Sequence, residues 1–355
     1  MKKLLFVLAG AFIMISIAIS CSNDDSILPE TNKNDSRAIG FKSFLDKNIA
    51  RGTSVAPGNL KQDFWVHAYY DSIGDRSTSL LKPNFMYNQH VYYNNSDSSF
   101  AYTPTKYWPN SGDVDFYAWT PNSSHMSFTT PVDGTTIGYP VFTYTVTDAI
   151  TSQEDILVAA TEDQDGTSGT VNFGFDHAMT KVAFCARTAG NYTPTGVTVK
   201  LISIKLDSIA NSGTFHYERY AQNRADSTWW SLNSAPKKSY IPSIGSSDGV
   251  TIGYYGINTY LELIYGSQFM FMMPQSFANT DASITIVYKV FYTDGTAPQT
   301  FTKQIPLSGT PSWIPGNYVN YAITISLNIV TMSGVVSDWN VVNPLINLVP
   351  TDDEE

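Results

Sequence analysis

The sequence predicts an all-β chain folded as two β-sandwiches in tandem. Three observations carry that reading. Apolar residues alternate with polar ones in many short runs. The alternation is most regular at Ile284, Ile286, Tyr288, Val290 and Tyr292, and at six alternate positions, Val319, Tyr321, Ile323, Ile325, Leu327 and Ile329. Aromatic residues make up 14% and charged residues only 15%, with 22 Tyr and 19 Phe, which suits half-buried strands better than amphipathic helices. Finally, no segment holds helical spacing for three turns, and no short-period repeat interrupts the strand pattern.

Before the strands comes a leader. Lys2 and Lys3 precede an uncharged apolar run from Leu4 to Ile19, too short for a membrane span of about 20 residues and suited to a signal-peptide core. Residues 1–20 are read as a signal peptide, cleaved between Ser20 and Cys21. Ala18-Ile19-Ser20-Cys21 resembles the lipobox of bacterial lipoproteins, in which Cys21 is acylated, with Ala18 where leucine is usual. Ordinary cleavage after Ser20 is the alternative. One acyl chain holds a protein to a bilayer only marginally, so stable anchoring takes the several chains that a lipoprotein cysteine carries. Residues 21–38 form a polar tether that opens with Ser22-Asn23-Asp24-Asp25, similar to the acidic patch that directs Bacteroidetes lipoproteins to the cell surface.

The strands come next, in chain order. Ile39, Phe41 and Phe44 make a short first strand before Asp46-Lys47-Asn48, and Arg51-Gly52-Thr53 sits in the next connection. Phe64 to Tyr70 alternates on two faces. Tyr107-Trp108-Pro109 leads through Asn110-Ser111-Gly112 into Val114, Phe116 and Ala118, and Pro121-Asn122 marks a turn. Val141–Val146, Ile156–Ala159, Val171–Phe175 and Val182–Ala186 are further strands. Gly190 to Gly196 reads as the boundary between an N-terminal sandwich over 39–190 and a C-terminal sandwich over 191–355. Beyond it, Val197–Leu206 switches its apolar parity near Ile202, as at a β-bulge, and Gln268–Met273 is a buried strand stopped by Pro274.

These stretches together resemble the fimbrillin family of Bacteroidetes, the subunits of type V pili and their relatives. The resemblance rests on the Ile39-Gly40-Phe41 strand with Arg51-Gly52-Thr53, on Phe64–Tyr69, and on Tyr107-Trp108-Pro109 running into Val114–Pro121. Gln153–Ala159, Phe173–Val182, Phe271–Gln275, Trp313–Asn317 and Val336-Ser337-Asp338-Trp339 stand in the same order. It implies two transthyretin-like sandwiches and a lipoprotein precursor displayed on the outer membrane as part of a fimbrium. It also implies that an arginine-specific protease removes the first strand, Ile39, Phe41 and Phe44. The opened groove then accepts a strand from the C-terminal segment of another subunit. Arg51 is the candidate cleavage site, because a cut at Arg37 would leave the first strand in place; a plain surface arginine in a turn is the alternative. The donor segment would be 340–350, with Val342, Ile346 and Leu348 on one parity and Val341, Leu345 and Val349 on the other; Pro344 interrupts the first. Head-to-tail insertion of this kind need not close, so it builds a filament. Stalk, tip and anchor positions all remain open, and an anchor is expected to keep its first strand.

Little in the chain points to chemistry. Asp163-Gln164-Asp165-Gly166 looks like part of a calcium loop, but in that register Thr161 and Asn172 stand where ligands are required, and an acidic hairpin turn fits better. Asp176-His177 has no nucleophile motif beside it, and the five His residues lack metal-ligand spacing. No metal or cofactor is implied, and the chain is read as a non-enzyme. With Cys21 lipidated, Cys185 has no disulfide partner and sits in an apolar run as an inert thiol. The formal net charge is −10, and −12 once Lys2 and Lys3 leave with the leader, which argues against nucleic acid as a partner. The expected partners are other pilus subunits, as homopolymer or heteropolymer, with a host or bacterial surface ligand. The alternative function is a non-polymerising surface lipoprotein that binds a glycan or host ligand, with Trp229 and Trp230 as a stacking platform; a partly buried aromatic pair is the default reading of those two.

Overall fold

Period-two burial organises the long strands. In the run from Ser283 to Tyr292, Ile284, Ile286, Tyr288 and Val290 are buried while Thr285, Val287, Lys289 and Phe291 are half-exposed. The chain is described from a computed structural model over residues 37–45, 60–72, 83–129, 139–224, 228–233, 237–245, 248–264 and 268–339. It is all-β, with several sheets, one short α-helix and two 3-10 turns among the described residues. The first strands are β1 (Gly40–Leu45), β2 (Phe64–Asp71), β3 (Met86–Asn94), β4 (Ser99–Ala101), β5 (Asp113–Thr120), β6 (Met126–Phe128), β7 (Val141–Thr145), β8 (Leu157–Gln164) and β9 (Thr170–His177). Next come β10 (Thr180–Thr188), β11 (Val197–Ala210), β12 (Ser212–His216), α1 (Tyr217–Gln222), β13 (Trp230–Leu232), β14 (Lys237–Tyr240) and β15 (Val250–Ile252). The last are β16 (Leu261–Glu262), β17 (Met270–Met272), β18 (Ser283–Tyr292), β19 (Gln299–Pro306), β20 (Asn317–Ser326) and β21 (Ile329–Asp338).

Four sheets result. A seven-stranded sheet has the order β1-β9-β8-β5-β2-β3-β4. Its two ends come together, because Ala38 bridges to Tyr107 and the Tyr102 hydroxyl donates to the Ile39 carbonyl at 2.9 Å. The sheet thus rolls around a core that includes Phe41, Phe64, Phe116, Phe173 and Phe175. Two five-stranded sheets carry the second half: β16-β10-β20-β21 with β17 also on β10, and β14-β11-β18-β19 with β15 also on β11. A four-stranded sheet, β13-β12-β7-β6, joins strands from both halves. Two pairings are parallel, β1 with β9 and β10 with β20.

Some features obey the sequence pattern and others depart from it. The register shift in β11 falls between Leu201 and Ser203, where the apolar parity switches. The six-position alternation from Val319 to Ile329 is not one strand. It stops at Ser326, Leu327 and Asn328 turn the chain, and Ile329 opens β21 at 56% exposure. Alternation alone cannot register a two-residue hairpin loop, since such a loop keeps the parity of the strand after it. β10 lies before residue 190 in sequence, yet all its ladder partners belong to the second half.

The halves interlock through main-chain and side-chain bonds. Tyr217 and Tyr220 of α1 donate to the carbonyls of Ala118 (2.7 Å) and Val158 (3.1 Å) on the outer face of the rolled sheet. Trp230 donates to the Ala178 carbonyl at 2.7 Å. One apolar core consequently runs from Tyr69 and Tyr117 through Phe142 and Phe215 to Ile286 and Tyr321.

Candidate functional site: the seat of the first strand

β1 packs inward through a few side chains, and its buried ring is Phe41. Ile39, Phe41 and Ser43 point inward and are buried, while Phe44 lies on the opposite face and is half-buried. Sequence parity hides Ser43, which stands where an apolar residue would continue the inward face; its hydroxyl donates to the Leu60 carbonyl at 3.0 Å. Phe41 occupies a seat lined by four rings. It stacks on Phe173 at 5.7 Å and 12°, and meets the edges or faces of Phe64 (6.0 Å), Phe116 (6.1 Å) and Tyr102 (5.2 Å).

The backbone of this segment is held from two sides. On one, β1 runs parallel to β9 from Gly40↔Thr170 to Leu45↔Phe175. On the other, the Ile39 amide donates to the Lys106 carbonyl at 2.9 Å and the Trp108 amide donates to the Arg37 carbonyl at 3.0 Å. The Arg37 guanidinium also donates to the Asn110 side chain. A strand gripped this way fills a slot between β9 and the 102–108 segment. β10, in the second parallel pair, is different: it has neighbours on both edges and continues directly from the Met179 bend.

Ser20, Cys21, Arg51, Val342, Ile346 and Leu348 lie outside the described residues. The last described residue, Trp339, is clamped. Its ring lies between His177 (4.0 Å, 7°) and Phe271 (5.5 Å, 5°), and its amide donates to the Gly316 carbonyl at 3.3 Å. The sequence flagged Trp339 as part of a motif but gave no sign that it meets His177.

The residues weighed for chemistry have structural work. His177 Nδ1 pairs with the Asp155 carboxylate at 2.8–2.9 Å. Asp176 is buried and accepts from Tyr220 at 2.9 Å and from Arg224 at 2.6 and 2.8 Å. Burial pushes the Cys185 thiol up to about 12, so no thiolate forms near neutrality. Thr161 and Asn172 belong to β8 and β9, and Asp165 Oδ1 accepts from the Thr167 amide and hydroxyl at 2.9 and 2.8 Å within the hairpin turn. Trp229 and Trp230 are both buried, among Phe215, Tyr220 and Phe142, so the pair offers no stacking platform to a sugar.

A family model described as fimbrillin-like matches residues 60–339. The chain belongs to the fimbrillin-like family. The match starts after β1 and stops at the clamped Trp339. This fimbrillin-like chain is 28% identical over 256 residues to the fimbrium subunit Fim1C of Phocaeicola vulgatus, across 67% of its own length and 64% of that relative's. Its fold is similar to the crystal structure of a fimbrial protein from Bacteroides vulgatus, with a TM-score of 0.63 at 18% identity, over 86% of this chain and 100% of that one.

Proposed function

We propose that this protein is a cell-surface structural and adhesion subunit of a fimbrium, assembled by proteolysis-triggered donor-strand exchange. Family membership supports the fimbrial role. The observation that carries the mechanism is β1: a single strand in a parallel edge pairing, its inward ring plugged into a ready-made slot. Removing it would leave the unpaired edge of β9 beside an apolar groove, the kind of surface a donated strand covers. Cys21 would carry the lipid anchor in the outer membrane, and Arg51 would be the release point. Arg37 is the poorer cleavage site, because its carbonyl and guanidinium are both engaged and a cut there would leave β1 in place. The domain division belongs to the same proposal. A transthyretin-like N-terminal sandwich is built on the rolled sheet and a C-terminal one on the two five-stranded sheets, with β10 reaching from the sequence of the first into the second. Other pilus subunits are the partners, and the role is structural rather than catalytic.

Treating lipid-free protein with an arginine-specific protease, both alone and mixed with the other subunits of its fimbrium, tests this. The expected result is a cut after Arg51 followed by oligomer ladders that resist mild heating in detergent, with neither appearing in Arg51→Ala. A clean cut with no ladder in either mixture, or ladders undiminished in Arg51→Ala, would overturn it.

A further inference from the structure

The seat that β1 leaves constrains the strand that replaces it. Phe41 is the inward residue opposite Val171, and the rings of Phe64, Tyr102, Phe116 and Phe173 enclose it. Three of those four are fully buried and belong to strands that stay when β1 goes. Rings already packed in a core do not close over a missing neighbour, so a smaller side chain there leaves part of the space empty. Residues 340–355 contain no Phe, Tyr or Trp. Trp339, just before them, is held between His177 and Phe271 and tied by its amide to Gly316. Whichever parity faced inward, this chain's own segment would bring only Val, Leu, Ile, Pro or Asn to the Phe41 position.

We propose that the strand filling the β1 seat comes from a different subunit, one whose donor segment carries an aromatic residue at the Phe41 position. A second copy of this chain is a poor donor. The inference rests on the donor-strand reading above, and names its partner: heterologous insertion from an unlike subunit.

Peptide binding to the protease-cut, lipid-free protein separates the two ideas. Four labelled peptides serve as probes: residues 38–45, residues 340–350, and residues 340–350 with Leu345→Phe or, separately, with Ile346→Phe. The first should bind, the second should bind at least about tenfold more weakly, and one aromatic version should recover most of the difference. Native 340–350 binding as tightly as 38–45 would overturn the unlike-subunit inference while leaving strand exchange standing. No binding by any peptide, with the cut protein still folded by circular dichroism, would sink strand exchange and the inference with it. Should the cut protein unfold, the intact chain decides: Phe41→Leu is expected to lower the melting temperature by several degrees, and an unchanged value would show that the seat accepts an aliphatic residue and end the proposal.

Discussion

His67 carries the clearest pH consequence in the molecule. It is buried on β2 against Tyr87 (5.2 Å), Trp119 (4.7 Å) and Phe128 (4.8 Å), and its Nδ1 accepts from the Asn88 amide at 3.0 Å. Burial pulls its pKa from 6.5 down to about 3. The folded state therefore keeps His67 neutral over a range in which the unfolded chain binds a proton. Its contribution to stability is complete above about pH 6.5 and falls by about 1.4 kcal/mol per pH unit as pH drops toward 3. Urea midpoints measured at pH 7 and pH 5 should differ in that direction, and the difference should shrink in His67→Gln, whose side-chain oxygen can still accept from Asn88. Cys185 gives a second check. With Cys21 removed, the native protein should resist alkylation at pH 8 and react fully once unfolded, because the thiol is buried and its pKa is raised. The buried, inert cysteine was legible from its apolar neighbours. The low pKa of His67 was not, since the sequence puts it in plain alternation with Trp65 and Tyr69 and says nothing of the Phe128 and Trp119 rings that bury it.

β1 and the hairpin beside it decide how firmly the rolled sheet is closed. Phe41→Ala should cost about 3–5 kcal/mol, the range for a large ring deleted from a core. Phe44→Ala, on the half-buried outer face, should cost about 1 kcal/mol. Comparing denaturant midpoints of the two variants tests which face of β1 is the plug. At the β8–β9 turn, Gly166 sits at φ +82 with an added Cβ only 2.6 Å from the buried Trp108 ring. Gly166→Ala should destabilise by about 1–3 kcal/mol, from the left-handed backbone and the displaced ring together. Strand existence was readable where one face is apolar, as in β5, β18 and the first part of β20. It was not readable in β3 or β19, whose Met86-Tyr87-Asn88-Gln89-His90-Val91 and Gln299–Pro306 runs are largely polar and exposed. β19 is an edge strand, and β3 has only the three-residue β4 on its outer side, so both sequences carry a weak periodic signal. The seat of Phe41 was equally out of reach: its four rings come from three strands and a loop residue widely separated in sequence.

Across the whole molecule, the second half reaches back over the first. β12 pairs with β7, and Tyr217, Tyr220, Arg224 and Trp230 all bond to the N-terminal half. The two halves should therefore melt in a single transition by calorimetry, and two resolved peaks would contradict the shared core. Arg224→Ala leaves Asp176 with less of its compensation in a buried site, and should cost about 1–3 kcal/mol, discounted because the guanidinium is partly in water. An all-β chain of many short strands was predictable from strand count and turn spacing; a four-stranded sheet joining β7 to β12 was not, because each looks like an ordinary member of its own half of the sequence. The parallel pairing of β1 also sets a folding order. Its ladder joins residues roughly 130 positions apart, and contacts that close so long a loop form late. Every other strand of the rolled sheet pairs antiparallel with a neighbour much closer in sequence or with one already in place. β1, the first described strand, is thus expected among the last to dock, after a state in which the body is folded and the slot is still empty.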